Sequence, residues 1–354
     1  MKSSRHFVLA GILTVMMLFT AACGGSEATN GGAAGAGNSS TAVGSDTKKE
    51  AAGKVKIGVA QVVNHTSLDE AHKGFLQALK DNGYVEGDNL EIDYQNAQGD
   101  NSNAATIAQK FATGGVELIL GIGTSVSQAA AKEAQDIPVL FTAVTDPIGA
   151  GLVKSMESPG GNVTGTTDLH PEAISKLMEF IKNNVKDVTA VGILANEGEQ
   201  NTIVNVTQAE EALTKLGLTV HKAPVTNSSE VKQAAESLIG KVQAIYVPSD
   251  NTVVSALSAA VGVANDNKIP LFVAEKDSVK NGGVASYGFE YFDLGYTTGK
   301  MAVEILKDGK KASDIAAKFP ESLDLALNLK AAAAQGFEVS DALKQEVKPD
   351  NLFE

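Results

Sequence analysis

From Lys54 onward the chain alternates short β-branched runs with amphipathic segments, and it does so twice. The first set runs "KVKIGVAQV" (54–62), a helical stretch with Leu68, Ala71, Phe75 and Leu79 on one face, "LEIDYQNA" (90–97), helical "NSNAATIAQKFAT", "ELILGIG" (117–123), helical "SVSQAAAKEAQ" and "IPVLFTAV" (137–144). Strands that alternate with helices predict a parallel sheet covered on both faces. The second set begins with "VTAVGILA" (188–195). A helix follows with Ile203, Val206, Ala209, Leu213 and Leu216 turned inward and Gly217 at its end. Then come "LTVHKAPV", "SEVKQAAESLIG", "VQAIYVPS", a further helix and "IPLFVAE" (269–275).

The two sets match element for element near their ends. Thr124 corresponds to Thr252 at an offset of 128, and Ile137-Pro138 to Ile269-Pro270 at an offset of 132. The intervening helix is therefore four residues longer in the second half, about one turn. The prediction is an α/β chain of two similar lobes, each with a parallel sheet, joined by a hinge. Lobe one is expected over 54–166 and lobe two over 167–285, with "NVTGTTD" (162–168) crossing between them. The remaining 286–354 is expected to pack back on lobe one, which makes more than one crossing.

What precedes Lys54 reads as processing signal and tether. Lys2 and Arg5 precede the apolar run "FVLAGILTVMMLFTAA" (7–22), and small residues lead up to Cys23. This is the pattern of a signal peptide over 1–22, too short for a comfortable membrane span of roughly 20 residues. Cys23 is the only cysteine, so no intrachain disulfide can form. Its place just after the cut resembles the lipobox of bacterial lipoproteins, which implies a lipid-modified Cys23. Residues 23–53, rich in Gly, Ser, Ala, Thr and Asn, read as a flexible tether. Loss of Lys2 and Arg5 takes the net charge from −13 to −15. So acidic a chain has no footprint for nucleic acid, and its body has no attraction to anionic lipid.

In open parallel sheets ligands bind beyond the carboxyl ends of the strands. Here those ends carry "VVNHTSLD", "GIGTSVS", "AVTDP" and "TTDLHP" in the first half, and "ANEGEQ", "VPSDNT" and "AEKDS" in the second. In "GIGTS", two glycines permit a tight turn and Thr124 and Ser125 open a helix. The free N–H groups and dipole there favour an anion such as a carboxylate; a simple helix cap is the competing reading. Thr145 and Asp146 precede Pro147, and Asp146 reads equally as an N-cap with proline at N1. Asp168, Asp250 and Glu275 put three acids around one cleft, with Asn251 beside Asp250. A buried ligand ammonium needs one of them.

Catalytic signatures are missing. There is no P-loop pattern, no complete G-x-G-x-x-G, no G-x-S-x-G and no H-E-x-x-H, and no Cys/His cluster has metal spacing. His65, Ser67 and Asp69 are the residue types of a hydrolase triad, yet a triad gathers its members from distant segments. Ser67 and Asp69 read better as caps of the first helix. No catalytic residue, metal or cofactor is expected; a surface hydrolase using His65 or Ser67 is the weaker alternative.

Six stretches together resemble the substrate-binding lipoproteins of ABC importers, in the subgroup with a tryptophan-binding member: "HTSLDEAHKGF", "GIGTSVSQAA", "TDPIGAGLV", "GGNVTGTTD", "VPSDNTVVSA" and "DLGYTTGKMAVEILKDG". They span roughly 54–310. The resemblance implies two Rossmann-like lobes of type I periplasmic-binding-protein-like fold. It implies a hydrophobic or aromatic amino acid, tryptophan first, captured in the cleft by hinge closure. It also implies a permease with a cytoplasmic ATPase as partner, and a monomer lipid-anchored at Cys23 outside the bacterial membrane. On this pattern the carboxylate sits at Thr124 and Ser125 with Thr145, and the ammonium faces Asp168 or Asp250 with Asn251. The ligand side chain lies against His65 and Leu68, and Tyr287 or Phe289 closes the far side. A nucleoside, sugar or aliphatic amino acid on the same scaffold is the alternative ligand. Sugar sites want several aromatic platforms, and aromatics are only 5% of this chain.

Overall fold

The computed structural model describes residues 53–354. The expected signal peptide, Cys23 and nearly all of the tether lie outside the described residues.

The first half folds as β1 (Val55–Gln61), α1 (Thr66–Asp81), β2 (Leu90–Asn96), α2 (Asn101–Thr113), β3 (Leu118–Ile122), α3 (Thr124–Glu133), β4 (Val139–Thr142) and β5 (Val163–Gly165). The strands form one parallel sheet in the order β2-β1-β3-β4-β5. β3 and β4 are buried throughout because helices cover both faces, as a parallel sheet requires. The predicted face of α1 is correct: Leu68, Ala71, Phe75 and Leu79 are all buried.

The second half continues with α4 (Ala173–Asn184), β6 (Ala190–Ala195), α5 (Gln200–Lys215), β7 (Thr219–Pro224), α6 (Val231–Glu236), β8 (Ala244–Val247), α7 (Asn251–Ser255), α8 (Leu257–Asn267), β9 (Leu271–Val273) and α9 (Lys276–Lys280). Its parallel sheet runs β7-β6-β8-β9. Both sheets therefore reverse direction beside their first strand, between β1 and β3 and between β6 and β8. A crevice opens at such a switch point. The inward set on α5 needs one correction, since Ile203 is 48% exposed. It lies one turn from the start of the helix, ahead of the stretch Val206, Ala209 and Leu213 that packs on the sheet.

The chain then returns. β10 (Ala285–Gly288) leads into α10 (Tyr291–Leu306), which lies along α1 in lobe one. Glycines make that approach possible: a Cβ on Gly295 would run into the Ala71 carbonyl, and one on Gly74 into the Phe292 carbonyl. After α10 the chain runs past β5, where Lys318 N donates to Gly165 O (2.9 Å) and Thr164 Oγ1 donates to Ile315 O (2.7 Å). It does not stay in lobe one. β11 (Asp324–Asn328) pairs antiparallel with β10, α11 (Leu329–Ala334) and α12 (Asp341–Glu346) follow, and β12 (Leu352–Phe353) pairs with β11. Leu325, Leu327, Phe337, Leu343 and Val347 join the lobe-two core. The expectation that 286–354 returns whole to lobe one is thus corrected. Only the α10 region does so, because β10 leaves an open edge that β11 completes. The chain crosses between lobes three times, near 166–169, 288–291 and 318–324. A buried hydroxyl chain from Thr142 to Thr166 (3.0 Å) to Thr298 (2.8 Å) ties the first crossing to α10.

Candidate functional site

At the lobe-one switch point, β1 ends in Gln61, whose amide donates to Val63 O (2.9 Å) and Asp69 Oδ1 (2.7 Å). His65 then takes an extended backbone and starts α1 with no side-chain cap. Ser67 and Asp69 do not cap this helix either. Ser67 Oγ donates across to Glu275 Oε2 (2.6 Å), and Asp69 receives Gln61. On the neighbouring strand, Gly123 turns the chain at φ +100° into α3, and a Cβ there would sit 2.7 Å from Val62 Cγ1. Ser127 Oγ donates back to Gly123 O (2.7 Å), and a Cβ on Gly121 would strike Ser127. These contacts hold the start of α3 tight against the sheet end. The first N–H groups of a helix have no partner within it, and the dipole makes that end an anion site. Thr124, buried in that first turn, has a hydroxyl with no hydrogen-bond partner among the described residues.

The lobe-two switch point is a closed network. Asp250 caps α7 by accepting from Val253 N (2.8 Å), and it also accepts from Asn196 N (2.5 Å) and Thr202 Oγ1 (3.0 Å). Glu199 accepts from Asn251 Nδ2 (2.6 Å), Thr252 N (3.0 Å) and Thr252 Oγ1 (2.6 Å). Asn201 Nδ2 donates to Ser249 O (3.0 Å). Burial, followed by the nearby Glu199 charge, pushes the Asp250 carboxyl up.

The lobes touch through side chains. Besides Ser67 and Glu275, His65 Nε2 lies 3.3 Å from Asn251 Oδ1. Asn281 Nδ2 donates to Thr66 Oγ1 (2.9 Å), and Gln128 Nε2 donates to Gln200 Oε1 (2.9 Å). Burial pushes the Glu275 carboxyl up to about 8 and the His65 imidazole down. At the hinge, Asp168 accepts from Thr145 Oγ1 (2.8 Å) and Tyr291 OH (3.0 Å), and desolvation raises it. A cavity of about 840 Å³ lies at the strand ends of both lobes. Val62, Thr124, Ser125, Gln128, Asn196, Glu199, Asn201, Asn251 and Thr252 are on its wall. That volume suits a small organic molecule.

The structure brings most of the expected residues together, in different roles. Thr124, Ser125 and Asn251 line the large cavity. His65 touches Asn251, and Ser67 and Glu275 meet beside it. Asp168 and Thr145 pair at the hinge. Asp250 faces into lobe two and is fully buried there. Leu68 belongs to the lobe-one core, since it falls on the inward face of α1. Asp146 points away: its carboxylate accepts from Gly149 N (2.8 Å), and the chain after Pro147 makes a turn where a capped helix was a possible reading. Tyr287 packs edge-on against Phe180 of α4 and lines only a recess of about 20 Å³ with Asp168.

Sequence reasoning missed Glu199, Asn196, Asn201, Gln128 and Tyr291. Glu199 had a signal, because "ANEGEQ" ends β6 as "VPSDNT" ends β8. Tyr291 had none, since its reach to Asp168 depends on how α10 returns.

The sequence model of the ABC transporter substrate binding protein family matches residues 56–349. The chain belongs to this family, whose members work outside the cytoplasm, binding a small molecule for an ABC permease. It is 40% identical over 327 residues to a protein of Clostridioides difficile named tyrosine-binding protein, covering 92% of this chain and 90% of the relative. An ABC domain of Streptococcus pneumoniae solved with L-Trp is 34% identical, with a TM-score of 0.79 over 85% of this chain and all of that one. The ligand-free, open structure of a Clostridium difficile substrate-binding protein with adhesive properties is 39% identical. Its TM-score is 0.63, over 84% of this chain and 98% of that one.

Proposed function

We propose that this protein captures an aromatic L-amino acid, tyrosine or tryptophan, between its lobes and presents it to an ABC permease with a cytoplasmic ATPase. The observation that carries the reading is the start of α3: a helix N-terminus with a buried, unpartnered Thr124 hydroxyl, opening on a cavity shared by both lobes. That is a receptor for the ligand carboxylate. Asp168 takes the ammonium. It holds two hydroxyl donors at the hinge, whereas Asp250 is committed to three donors inside lobe two. A carboxyl that burial has raised is relieved by a neighbouring cation. The relatives named for tyrosine and solved with L-Trp support the ligand class, and widen the initial expectation of tryptophan to include tyrosine.

Closure is the mechanism. The chain matches the L-Trp complex better in shape than the open, ligand-free relative, although it shares more residues with the latter. The interlobe bonds of His65, Ser67 and Gln128 exist only when the lobes meet. A ligand that contacts both lobes favours that state. The protein holds its ligand unchanged, as a monomer anchored by lipid on Cys23.

The chain has no tryptophan, so bound L-tryptophan is the only indole present. Its emission is expected to shift to the blue on mixing, and a thermal-shift panel is expected to respond to aromatic amino acids first. Stabilisation by a nucleoside or sugar with no response to any amino acid defeats the proposal. Cys23→Ala is expected to move the protein out of the membrane fraction; retention there counts against the anchor.

A further inference from the structure

His65 is held in one orientation and one tautomer by residues of the opposite lobe. The constraint starts at Glu199. Its Oε2 accepts from Asn251 Nδ2 at 2.6 Å, while its Oε1 is occupied by Thr252. A carboxylate only accepts, so the amide NH₂ of Asn251 must face it. Rotating that amide would press two acceptors together. Asn251 Oδ1 is therefore turned away from Glu199, toward His65 Nε2 at 3.3 Å. An amide oxygen also only accepts, so Nε2 carries the hydrogen. Burial keeps the imidazole neutral, with a single ring proton. The lone pair is left on Nδ1. That atom is buried, in a side chain 3% exposed, and has no hydrogen-bond partner among the described residues; Glu275 Oε2 is 3.9 Å away. A buried acceptor without a donor is costly.

We propose that His65 Nδ1 selects ligands whose side chain offers a hydrogen-bond donor, and that Glu199, through Asn251, is the positioning residue that fixes this polarity. This rests on the aromatic amino acid reading, in which α3 takes the carboxylate and Asp168 the ammonium, leaving the side chain for His65. Tyrosine and tryptophan bring an O–H or N–H; phenylalanine brings none and leaves Nδ1 dry on closure.

Glu199→Gln tests the relay. Glutamine keeps an oxygen for Thr252 and presents an amide NH₂ to Asn251. The Asn251 amide then flips, its NH₂ faces His65 Nε2, and the imidazole proton moves to Nδ1. An indole N–H cannot pair with an N–H, whereas a phenol hydroxyl can accept as well as donate. Calorimetric titration of the wild-type chain is expected to show phenylalanine about 10- to 100-fold weaker than tyrosine and tryptophan. In Glu199→Gln, tryptophan is expected to weaken by about 10-fold or more, and tyrosine much less. Imidazole ¹⁵N shifts of the ligand-bound protein are expected to show Nε2–H in the wild type and Nδ1–H in the variant. Equal wild-type affinity for phenylalanine, tyrosine and tryptophan overturns the selection by His65 and leaves the aromatic reading intact. An equal loss for all three ligands in Glu199→Gln, or an Nδ1–H imidazole in the wild type, overturns the relay. If the variant does not fold, the wild-type ratio and tautomer still decide. Binding of no aromatic amino acid at all defeats the parent reading instead.

Discussion

The two lobes place the same kind of loop at the same topological point and use it in opposite ways. Thr124 opens α3 beside the β1/β3 switch, and its counterpart Thr252 sits at the start of α7 beside the β6/β8 switch. The Thr124 hydroxyl is buried with no partner. The Thr252 hydroxyl donates to Glu199 and accepts from Asn196 Nδ2 (2.9 Å). Lobe one leaves hydrogen-bonding capacity open at Thr124, on the cavity wall, and at His65 Nδ1, buried where the lobes meet. Lobe two commits its Asp250, Glu199 and Asn201 to its own loops. One lobe leaves these groups unsatisfied, and the other satisfies its own within a closed network. A repeated fold can divide these tasks because the sheet fixes where the loops lie, not what their side chains bond.

The lobe-two network is expected to be the most sensitive part of the molecule to substitution. Asp250→Ala leaves Asn196 N, Val253 N and Thr202 Oγ1 without their acceptor in a buried site. It is expected to cost about 3 kcal/mol or more of stability in chemical denaturation. A loss below about 1 kcal/mol would mean the network is not a framework. In lobe one, Gly123→Ala must hold alanine at φ +100° with its methyl against Val62. A cost of about 1–3 kcal/mol is expected, with weaker binding because α3 shifts. Thr124→Val, by contrast, is expected to leave the melting temperature nearly unchanged and to reduce affinity about 10-fold, or about 1.4 kcal/mol. Equal affinity in Thr124→Val would remove the hydroxyl from the site.

The smallest expected effect is on pH. Burial where the lobes meet raises Glu275 from its ordinary 4.5 to about 8, and an opening that exposes this carboxyl to water is expected to release the proton that the closed state holds. Its preference for closure is full at pH values below about 4.5 and is lost as pH rises through about 8. Burial lowers His65, which opposes its protonation. Asp168 and Asp277, which also bear on Glu275, are likewise raised by burial. Small-angle scattering of the ligand-free protein is expected to show a more compact chain at pH 5.5 than at pH 8.5. In Glu275→Gln, which keeps an oxygen for Ser67, the difference should shrink. A difference of the same size in the variant would assign it to another group.

The alternation of strands with helices and the matched halves were legible because the central strands β3, β4, β6, β8 and β9 are short apolar runs buried along their length. The "GIGTS" turn was legible too, since only glycine tolerates φ +100° against Val62. The acids were not. Asp168, Asp250 and Glu275 look alike at strand ends, yet one holds hinge hydroxyls, one caps α7 and one meets Ser67 of the other lobe. Leu68 and Asp146 were read as ligand contacts from neighbouring residues; one faces the core and the other stabilises a turn.

Two α/β lobes, their strand ends and a tight turn at Gly123 follow from neighbouring residues alone, because local periodicity and backbone sterics are written there. The tertiary structure decided that β11 crosses back to lobe two, that Asp250 is occupied, and that His65 faces Asn251. Those depend on pairings between distant residues, such as Ala285 with Leu327 and His65 with Asn251, or on which of several donors reaches a carboxylate first, and neither is encoded in spacing along the chain.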